Sequence, residues 1–147
     1  MNENLFGVMA VIALVAVTLN CKATNQQPKP DVLEKKALII KECITNNKLY
    51  LDPKFSLKAL AEKVDIPHYH VSKILNDYFR SNFNDFINEF RVNEFVRLLN
   101  ESDSSNIKNS ALAYQCGFYS ESTFFRAFKK FMGQSPQQYQ KELLKNR

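Results

Sequence analysis

The stretch from Ala111 to Tyr139 reads ALAYQCGFYSESTFFRAFKKFMGQSPQQY, and it decides the fold. Its first part places apolar residues on one side of a short helix, at Leu112, Ala113 and Cys116. Gly117 then allows the left-handed backbone that ends a helix tightly. Ser120 is a good N-cap for a following helix. The stretch therefore predicts two helices joined by a tight turn.

The second of these helices is predicted to have two different faces. Its apolar residues recur at intervals of three and four, as in a buried stripe, at Phe124, Ala127, Phe128 and Phe131. The opposite side carries Glu121, Ser122, Phe125, Arg126, Lys129 and Lys130. One face is thus expected to pack while the other stays open to a ligand, as in a DNA-binding helix-turn-helix. The alternative is an ordinary helical bundle that does not meet nucleic acid.

The end of the stretch predicts a further helix. Gly133 ends the preceding one, and Ser135, Pro136 and Gln138 form a capping box that starts a C-terminal helix over about 135–145. Tyr139 and Leu143 give this helix a small apolar face that is expected to fold back on the domain.

A second copy of the pattern, over about 55–80, favours the DNA-binding interpretation. Ser56 is placed to cap a helix with apolar residues at Leu57, Leu60, Ala61 and Val64. Asp65-Ile66-Pro67 interrupts it. The next helix is expected to bury Val71, Ile74, Leu75, Tyr78 and Phe79. Its other face carries Tyr69, Ser72, Lys73 and Asn76, with Arg80 at its end.

One long helix is predicted between the two copies, over about 83–100. Counted from Asn84 to Asn100, about 17 residues at ~1.5 Å each span roughly 25 Å. Such a connector can hold two recognition helices about one duplex turn apart, ~34 Å, so that both enter successive major-groove segments of B-DNA. The predicted fold is therefore all-α, with two helix-turn-helix subdomains joined by a long linker helix within a domain of residues 31–147. The second motif is predicted over about 109–132.

These residues resemble the AraC/XylS-type transcription regulators over about residues 49–144. The most specific part is 91–136, with RVNEFVRLL, ALAYQCGF and TFFRAFKKFMGQSP. Upstream, LYLDPKFSLKALAEKV and HVSKILNDYFRSNFNDFINEFR are similar to the version attached to membrane sensors in Bacteroidetes-type bacteria. The resemblance implies that the chain is a sequence-specific transcription regulator with double-stranded DNA and RNA polymerase as partners.

The resemblance also implies which residues contact DNA. It assigns base readout to Tyr69, Ser72 and Lys73 in the first motif and to Glu121, Ser122, Phe125 and Arg126 in the second. It places Asn76, Arg80, Lys129 and Lys130 near phosphates. Arg126 and Lys73 can donate to guanine, and Phe125 can meet a thymine methyl. The alternative for Tyr69 and Phe125 is packing against neighbouring helices, and for Arg80 and Lys130 a merely solvated charge.

The chain departs from the usual family pattern at several positions. Pro67 stands where a capping Ser is expected, and Arg80 where Gly is common. Lys108 and Asn109 replace a capping Ser or Thr and an apolar residue, which weakens the start of the helix before Gly117. On the reading side, Tyr119 and Phe125 replace frequent Asn and Glu121 replaces a frequent Lys, although a carboxylate can accept from cytosine N4. We expect an altered DNA target on an unaltered fold.

The N-terminal region contains an uncharged apolar run, LFGVMAVIALVAVTL, over residues 5–19. Its roughly 22 Å is short for a hydrocarbon core of ~30 Å. Lysines follow the run and Glu3 precedes it, so the positive-inside rule places the remainder in the cytoplasm. We predict a short hydrophobic helix forming a membrane segment over 1–21, a linker over 22–30, and an inner-membrane location. The alternatives are an exported or lipoprotein form and a buried or mis-started segment. The resemblance implies the last membrane helix of a longer sensor, here cut short or translated from an internal start.

A further amphipathic helix is predicted within residues 31–47, from Leu33, Ala37, Ile40 and Ile44. In the membrane-sensor relatives such a helix transmits a signal or dimerises, which implies a possible homodimer through this segment. The alternative is that the helix packs on its own domain.

Composition and isolated motifs bound the remaining function classes. The 147 residues carry a formal charge of +5, a modest basic bias that is compatible with phosphate contacts. His68 and His70 are two positions apart on a helix and cannot share a metal. The chain has no Gly-rich phosphate loop and no paired catalytic carboxylates. Cys21, Cys43 and Cys116 suit a reducing compartment. We expect no enzyme, no cofactor and no metal. The alternative function is a helical protein-interaction module on a membrane anchor or lipoprotein that does not bind DNA.

Overall fold

The computed structural model describes residues 32–101 and 108–146, which form seven α-helices and one turn of 3-10 helix. The helices are α1 (Val32–Asn46), the 3-10 turn (Leu49–Leu51), α2 (Leu57–Val64), α3 (His68–Asp77), α4 (Phe83–Glu101), α5 (Asn109–Gln115), α6 (Glu121–Met132) and α7 (Pro136–Lys145). This part of the chain contains no strand, and the all-α prediction is confirmed. The predicted membrane segment and linker lie outside the described residues. None of the helices described is both long and apolar enough to cross a bilayer.

Two separate apolar cores lie along α4, one for each helix-turn-helix motif. The first core joins α1, α2 and α3 to the first half of α4, which contributes Phe86 and Ile87. The second core joins α5 and α6 to the second half, which contributes Val92, Phe95 and Leu99. Phenylalanine rings fill much of the second core at centroid distances typical of aromatic pairs, Phe95 to Phe124 being 4.7 Å. The prediction of two motifs joined by one long helix is confirmed.

The first motif begins with the predicted cap and is supported by α1. The Ser56 hydroxyl accepts a hydrogen bond from the backbone N–H of Ala59 at 3.2 Å. Three residues of α1 are fully buried against this motif: Ala37, Ile40 and Ile44. One face of α1 therefore packs on its own domain, which is the alternative that the sequence left open.

The predicted burial of Tyr78 is wrong. The helix α3 ends at Asp77, and the side chain of Tyr78 is 44% exposed. Because the helix ends there, Tyr78 leaves the apolar stripe that Val71, Ile74 and Leu75 continue into the core. Its ring lies edge-on to Phe79 at 5.0 Å, and Phe79 is the partly buried residue of the pair.

The second motif uses the glycines and caps that its sequence predicts. Gly117 and Gly133 have φ of 87° and 73°, in the left-handed region that favours glycine. The Ser120 hydroxyl accepts from the backbone N–H of Thr123 at 3.3 Å. Ser135 and Gln138 form the predicted capping box at the start of α7, and Tyr139 packs edge-on to Phe128 at 5.7 Å. The C-terminal helix thus closes the second core.

Candidate DNA-binding surface

The face of α3 that points away from the first core is polar and open. Tyr69 is 66% exposed, and Lys73 and Asn76 are exposed as well. The Tyr69 ring lies edge-on to its neighbour His70 at 5.6 Å and is not packed into the core. Ser72 is half-buried in a cleft formed by the starts of α2 and α4 and the flank of α3. Three of the four predicted residues on this helix therefore present their side chains to solvent.

Apart from Phe125, the predicted residues on the corresponding face of α6 are open to solvent. Glu121, Ser122, Arg126 and Lys129 are exposed. Phe125 differs, because its ring is half-buried, lies 5.4 Å from the Phe124 ring and packs against the second core. Phe125 is thus shared between core and surface. DNA bound at this face would contact only the exposed edge of the Phe125 ring.

Arg80 follows α3 in an unusual backbone conformation. Its φ of 55° is in the left-handed region, and its side chain is exposed. Glycine adopts this conformation without strain, which accounts for its frequency at this position in the family pattern described above. The guanidinium is nevertheless free to extend toward a ligand beside the end of α3.

Lys130 is paired with an acid on α4. Its ammonium lies 2.8 Å from the Asp85 carboxylate, to which the side-chain amide of Asn82 also donates at 2.7 Å. The hydrogen bond from Lys130 holds the pKa of Asp85 below its ordinary value, with a smaller contribution from Asn82. Among the predicted phosphate contacts, Lys130 is therefore a residue that would have to exchange one anion for another.

A groove of about 620 Å³ separates the first half of α4 from α6. It adjoins the reading face, since Arg126 and Lys130 form one wall, and Asn84, Asp85 and Asn88 form the other. The two asparagines could not be singled out from the sequence, because polar residues on a long helix ordinarily mark a solvated face. The groove adds amide donors to the surface between the two motifs.

The chain is similar in sequence to known proteins. The family model described as a helix-turn-helix domain matches residues 60–142. The melibiose operon regulatory protein of Escherichia coli (strain K12) is 30% identical over 90 residues, which cover 61% of this chain and 29% of that protein. The chain therefore spans less than a third of the length of that relative.

Two solved structures are similar to the described fold. The C-terminal domain of the two-component response regulator yesN from Fusobacterium nucleatum has 31% identity and a TM-score of 0.56, with 68% of this chain and 96% of that chain covered. The C-terminal domain of AraT, a response regulator from Geobacillus stearothermophilus, has a TM-score of 0.58 at 21% identity, with coverage of 81% and 88%. The second likeness concerns the fold alone.

Proposed function

The chain belongs to the AraC-type helix-turn-helix family of DNA-binding transcription regulators, and we propose that it reads one asymmetric DNA site with α3 and α6 in successive major-groove segments. One observation carries this proposal: both helices expose a polar face, and both are anchored through their apolar faces to the same helix, α4. Recognition helices of this kind enter grooves about one duplex turn apart, ~34 Å. A single chain then reads both segments.

The side chains on the outer faces of α3 and α6 suggest separate roles for contacts to bases and contacts to phosphates. In the proposed complex, Tyr69, Ser72 and Lys73 read the first segment, and Glu121, Ser122, Phe125 and Arg126 read the second. Arg126 suits a guanine because its guanidinium can donate to O6 and N7 together. Asn76, Arg80, Lys129 and Lys130 contact phosphates, which adds affinity without adding sequence information. Lys130 does so by leaving Asp85.

A DNA selection followed by binding titrations tests this assignment. The full chain in mild detergent is used to select duplexes from a random library, and gel-shift titrations follow at several salt concentrations. Replacing Arg126 by Ala is expected to lower the affinity for the selected duplex by about ten-fold or more and to relax the base preference at one position. Replacing Lys129 by Ala is expected to lower the affinity for all duplexes alike and to reduce the slope of log affinity against log salt concentration by about one.

Lys41→Ala is the matched control, because Lys41 is an exposed lysine on α1, outside both reading faces. It should leave affinity and salt slope close to those of the unmodified chain. If Arg126→Ala and Lys129→Ala both titrate like the unmodified chain, the face assignment is wrong. If no duplex is enriched at all, the result favours the alternative function, a helical protein-interaction module that does not bind DNA.

We also propose that the chain is tethered to the inner membrane with the DNA-binding domain in the cytoplasm. The support is the uncharged run over residues 5–19 and the lysines that follow it. Cell fractionation should find the chain in the membrane pellet after washing with carbonate. Protease added to intact cells should leave it undigested. Digestion would instead indicate the exported module.

Two partners complete the proposal. A homodimer through residues 31–47 is supported by the outer side of α1, which exposes Val32, Leu38 and Ile39 although its opposite side is packed. Sedimentation of the chain with Leu38→Glu should shift a dimer to monomer, and an unchanged monomer in both chains would remove the dimer from the proposal. Contact with RNA polymerase rests on the family alone, and pull-down with purified polymerase checks it.

A further inference from the structure

The boundary between the two cores lies within about one and a half turns of α4. The last residue of α4 that is buried in the first core is Ile87, and the first in the second core is Val92. Within the described part of the chain, one charged residue is buried, and it lies at this boundary: Arg91 is 8% exposed. Burying a guanidinium is unfavourable unless its donors are satisfied, so its partners are informative.

Arg91 binds backbone that precedes the first motif. Its Nε donates to the carbonyl oxygen of Tyr50 at 2.7 Å, and its Nη2 donates to that of Asp52 at 2.9 Å. A third donor, Nη1, reaches the side chain of Asn88 at 3.3 Å. Burial lowers the pKa of Arg91 from its ordinary value, partly offset by Asp52, yet a guanidinium remains charged at neutral pH. These are charge-assisted bonds of fixed direction.

The same segment also touches the turn of the second motif. A Cβ placed on Gly117 would overlap the carbonyl oxygen of Tyr50 and would lie 2.8 Å from the carbonyl of Leu51. The Phe118 ring that follows lies 5.8 Å from the Arg91 guanidinium carbon, within the range of a cation–π contact. Arg91 and the backbone of residues 49–52 therefore meet both motifs at one place.

Two further contacts support the same junction. The Tyr50 ring stacks on Phe90 with centroids 5.7 Å apart. The Glu94 carboxylate, whose side chain is 9% exposed, lies 3.9 Å from the Lys48 ammonium. Both α4 partners, Phe90 and Glu94, are within one helical turn of Arg91. The segment before the first motif is thus fixed to α4 along its length.

We propose that Arg91 is a positioning residue that fixes the angle between the two recognition helices. It does so by joining the backbone of residues 49–52, the middle of α4 and the turn at Gly117 into one rigid junction. The consequence for DNA reading rests on the proposed function, whereas the rigidity itself does not.

The physical reason is that α4 alone fixes the distance between the two recognition helices better than it fixes the angle between them. Long helices curve, and each core holds only one motif to its own half of α4. Across ~34 Å, a tilt of ~10° would displace the far recognition helix by roughly 6 Å, more than a base-pair step. Two directional bonds from one planar group resist that tilt, and they are made at the pivot.

A distance measurement without DNA tests the rigidity. Spin labels are attached to Lys73→Cys on α3 and Lys129→Cys on α6, in the full chain with Cys21→Ser and Cys43→Ser. Cys116 is retained because it is fully buried, and burial raises the pKa of its thiol to about 12, so it resists labelling. We expect one narrow distance distribution, and Arg91→Met should broaden it at least about two-fold by releasing the pivot.

Spacing of the DNA site gives the second readout. One base pair inserted between the two halves of a selected duplex adds ~3.4 Å and rotates one half by ~34°. The unmodified chain should lose about ten-fold or more in affinity. Arg91→Met should bind the best duplex more weakly, yet lose less than about three-fold on insertion, because a loose junction adapts. A loss of folding stability alone would not reduce the effect of the inserted base pair on affinity.

Arg97→Met is the matched control. Arg97 lies on the same helix but is 45% exposed, and its ion pairs are with Glu94 and Glu101 of α4 itself. Removing Arg97 leaves the Glu94 carboxylate available to Lys48, so that contact of the junction is kept. It should keep the narrow distribution and the full spacing penalty. Arg91→Lys retains the charge with a single donor group and serves as the decisive variant if Arg91→Met does not fold.

The outcomes separate the inference from the proposed function. A folded Arg91 variant with an unchanged distance distribution overturns the positioning role, whatever the DNA result. A broadened distribution together with an unchanged spacing penalty also overturns it as a device for reading DNA. If the selection enriches no duplex, the proposed function fails, while the label distances still decide whether Arg91 holds the junction.

Discussion

The two helix-turn-helix motifs share an order of elements but make their turns differently. In the first motif the left-handed positions are occupied by Asp65 and Arg80, and in the second by Gly117 and Gly133. The recognition helices also start differently: α3 follows Pro67 without a side-chain cap, whereas α6 has a serine cap. By local criteria the first motif is the less favourable of the two.

The difference shows what each turn has to accommodate. Around Asp65 and Arg80 the left-handed backbone needs only to be tolerated, and α1 adds fully buried residues that stabilise the first motif. Around Gly117 another segment of backbone approaches so closely that no side chain fits. The second motif therefore requires glycine for contact, and the first does not.

Gly117→Ala should have the largest effect on this comparison. The new methyl group would overlap Tyr50 backbone in a left-handed conformation, so we expect about 3 kcal/mol or more of lost stability. Gly133→Ala is the matched substitution, with a similar φ but no atom within 4 Å of the added carbon, and should cost only about 1 kcal/mol. Denaturant unfolding measures both.

The contrast between these two glycines separates close approach from backbone conformation. Equal losses for the two substitutions would show that φ alone decides, and that the contact between Gly117 and residues 50–51 has little energetic weight. Gly117 would then be required only for its left-handed φ, the same requirement that Arg80 meets in the first motif.

Much of this fold could be predicted from local sequence signals. The caps at Ser56, Ser120 and Ser135 and the glycine ends of helices depend on neighbours within a few residues, so the chain shows them directly. The apolar stripes of α2, α3 and α6 could be predicted for the same reason. Tyr78 was missed because burial depends on the residue at which a helix stops, and this boundary is the least certain feature of a periodic pattern.

The junction and the ion pair on the reading side could not be predicted in this way. Arg91 bonds to carbonyls about forty positions away in the chain, and Lys130 pairs with an acid of another helix. Periodicity counts apolar residues and assigns an arginine to the surface. Only the packing of the two motifs brings such partners together. The DNA contacts themselves stay predictions.

Exchanging the caps of the two recognition helices should have an intermediate effect. Ser120→Ala removes the acceptor for the Thr123 N–H and should cost about 1 kcal/mol in unfolding experiments. Pro67→Ser supplies the missing acceptor to α3 and should gain up to about 1 kcal/mol. If Pro67→Ser destabilises the chain instead, the fixed φ of proline contributes more to the start of α3 than a cap would.

Arg80→Gly should have the smallest effect on stability and the most selective one on binding. Glycine removes the strain of a left-handed residue with a Cβ, which is ~1–2 kcal/mol, but it adds conformational freedom to the unfolded chain. We therefore expect the free energy of unfolding to rise by about 0.5 kcal/mol. The lost charge should reduce the salt slope of DNA binding by about one.

Arg80→Ala is the control, since it removes the charge and keeps the φ of 55° in a residue with a Cβ. It should bind DNA like the glycine variant without the gain in thermal stability. Equal stability of the glycine and alanine variants would mean that the left-handed turn after α3 carries no strain, and the two motifs would then differ in their caps and contacts but not in their backbone.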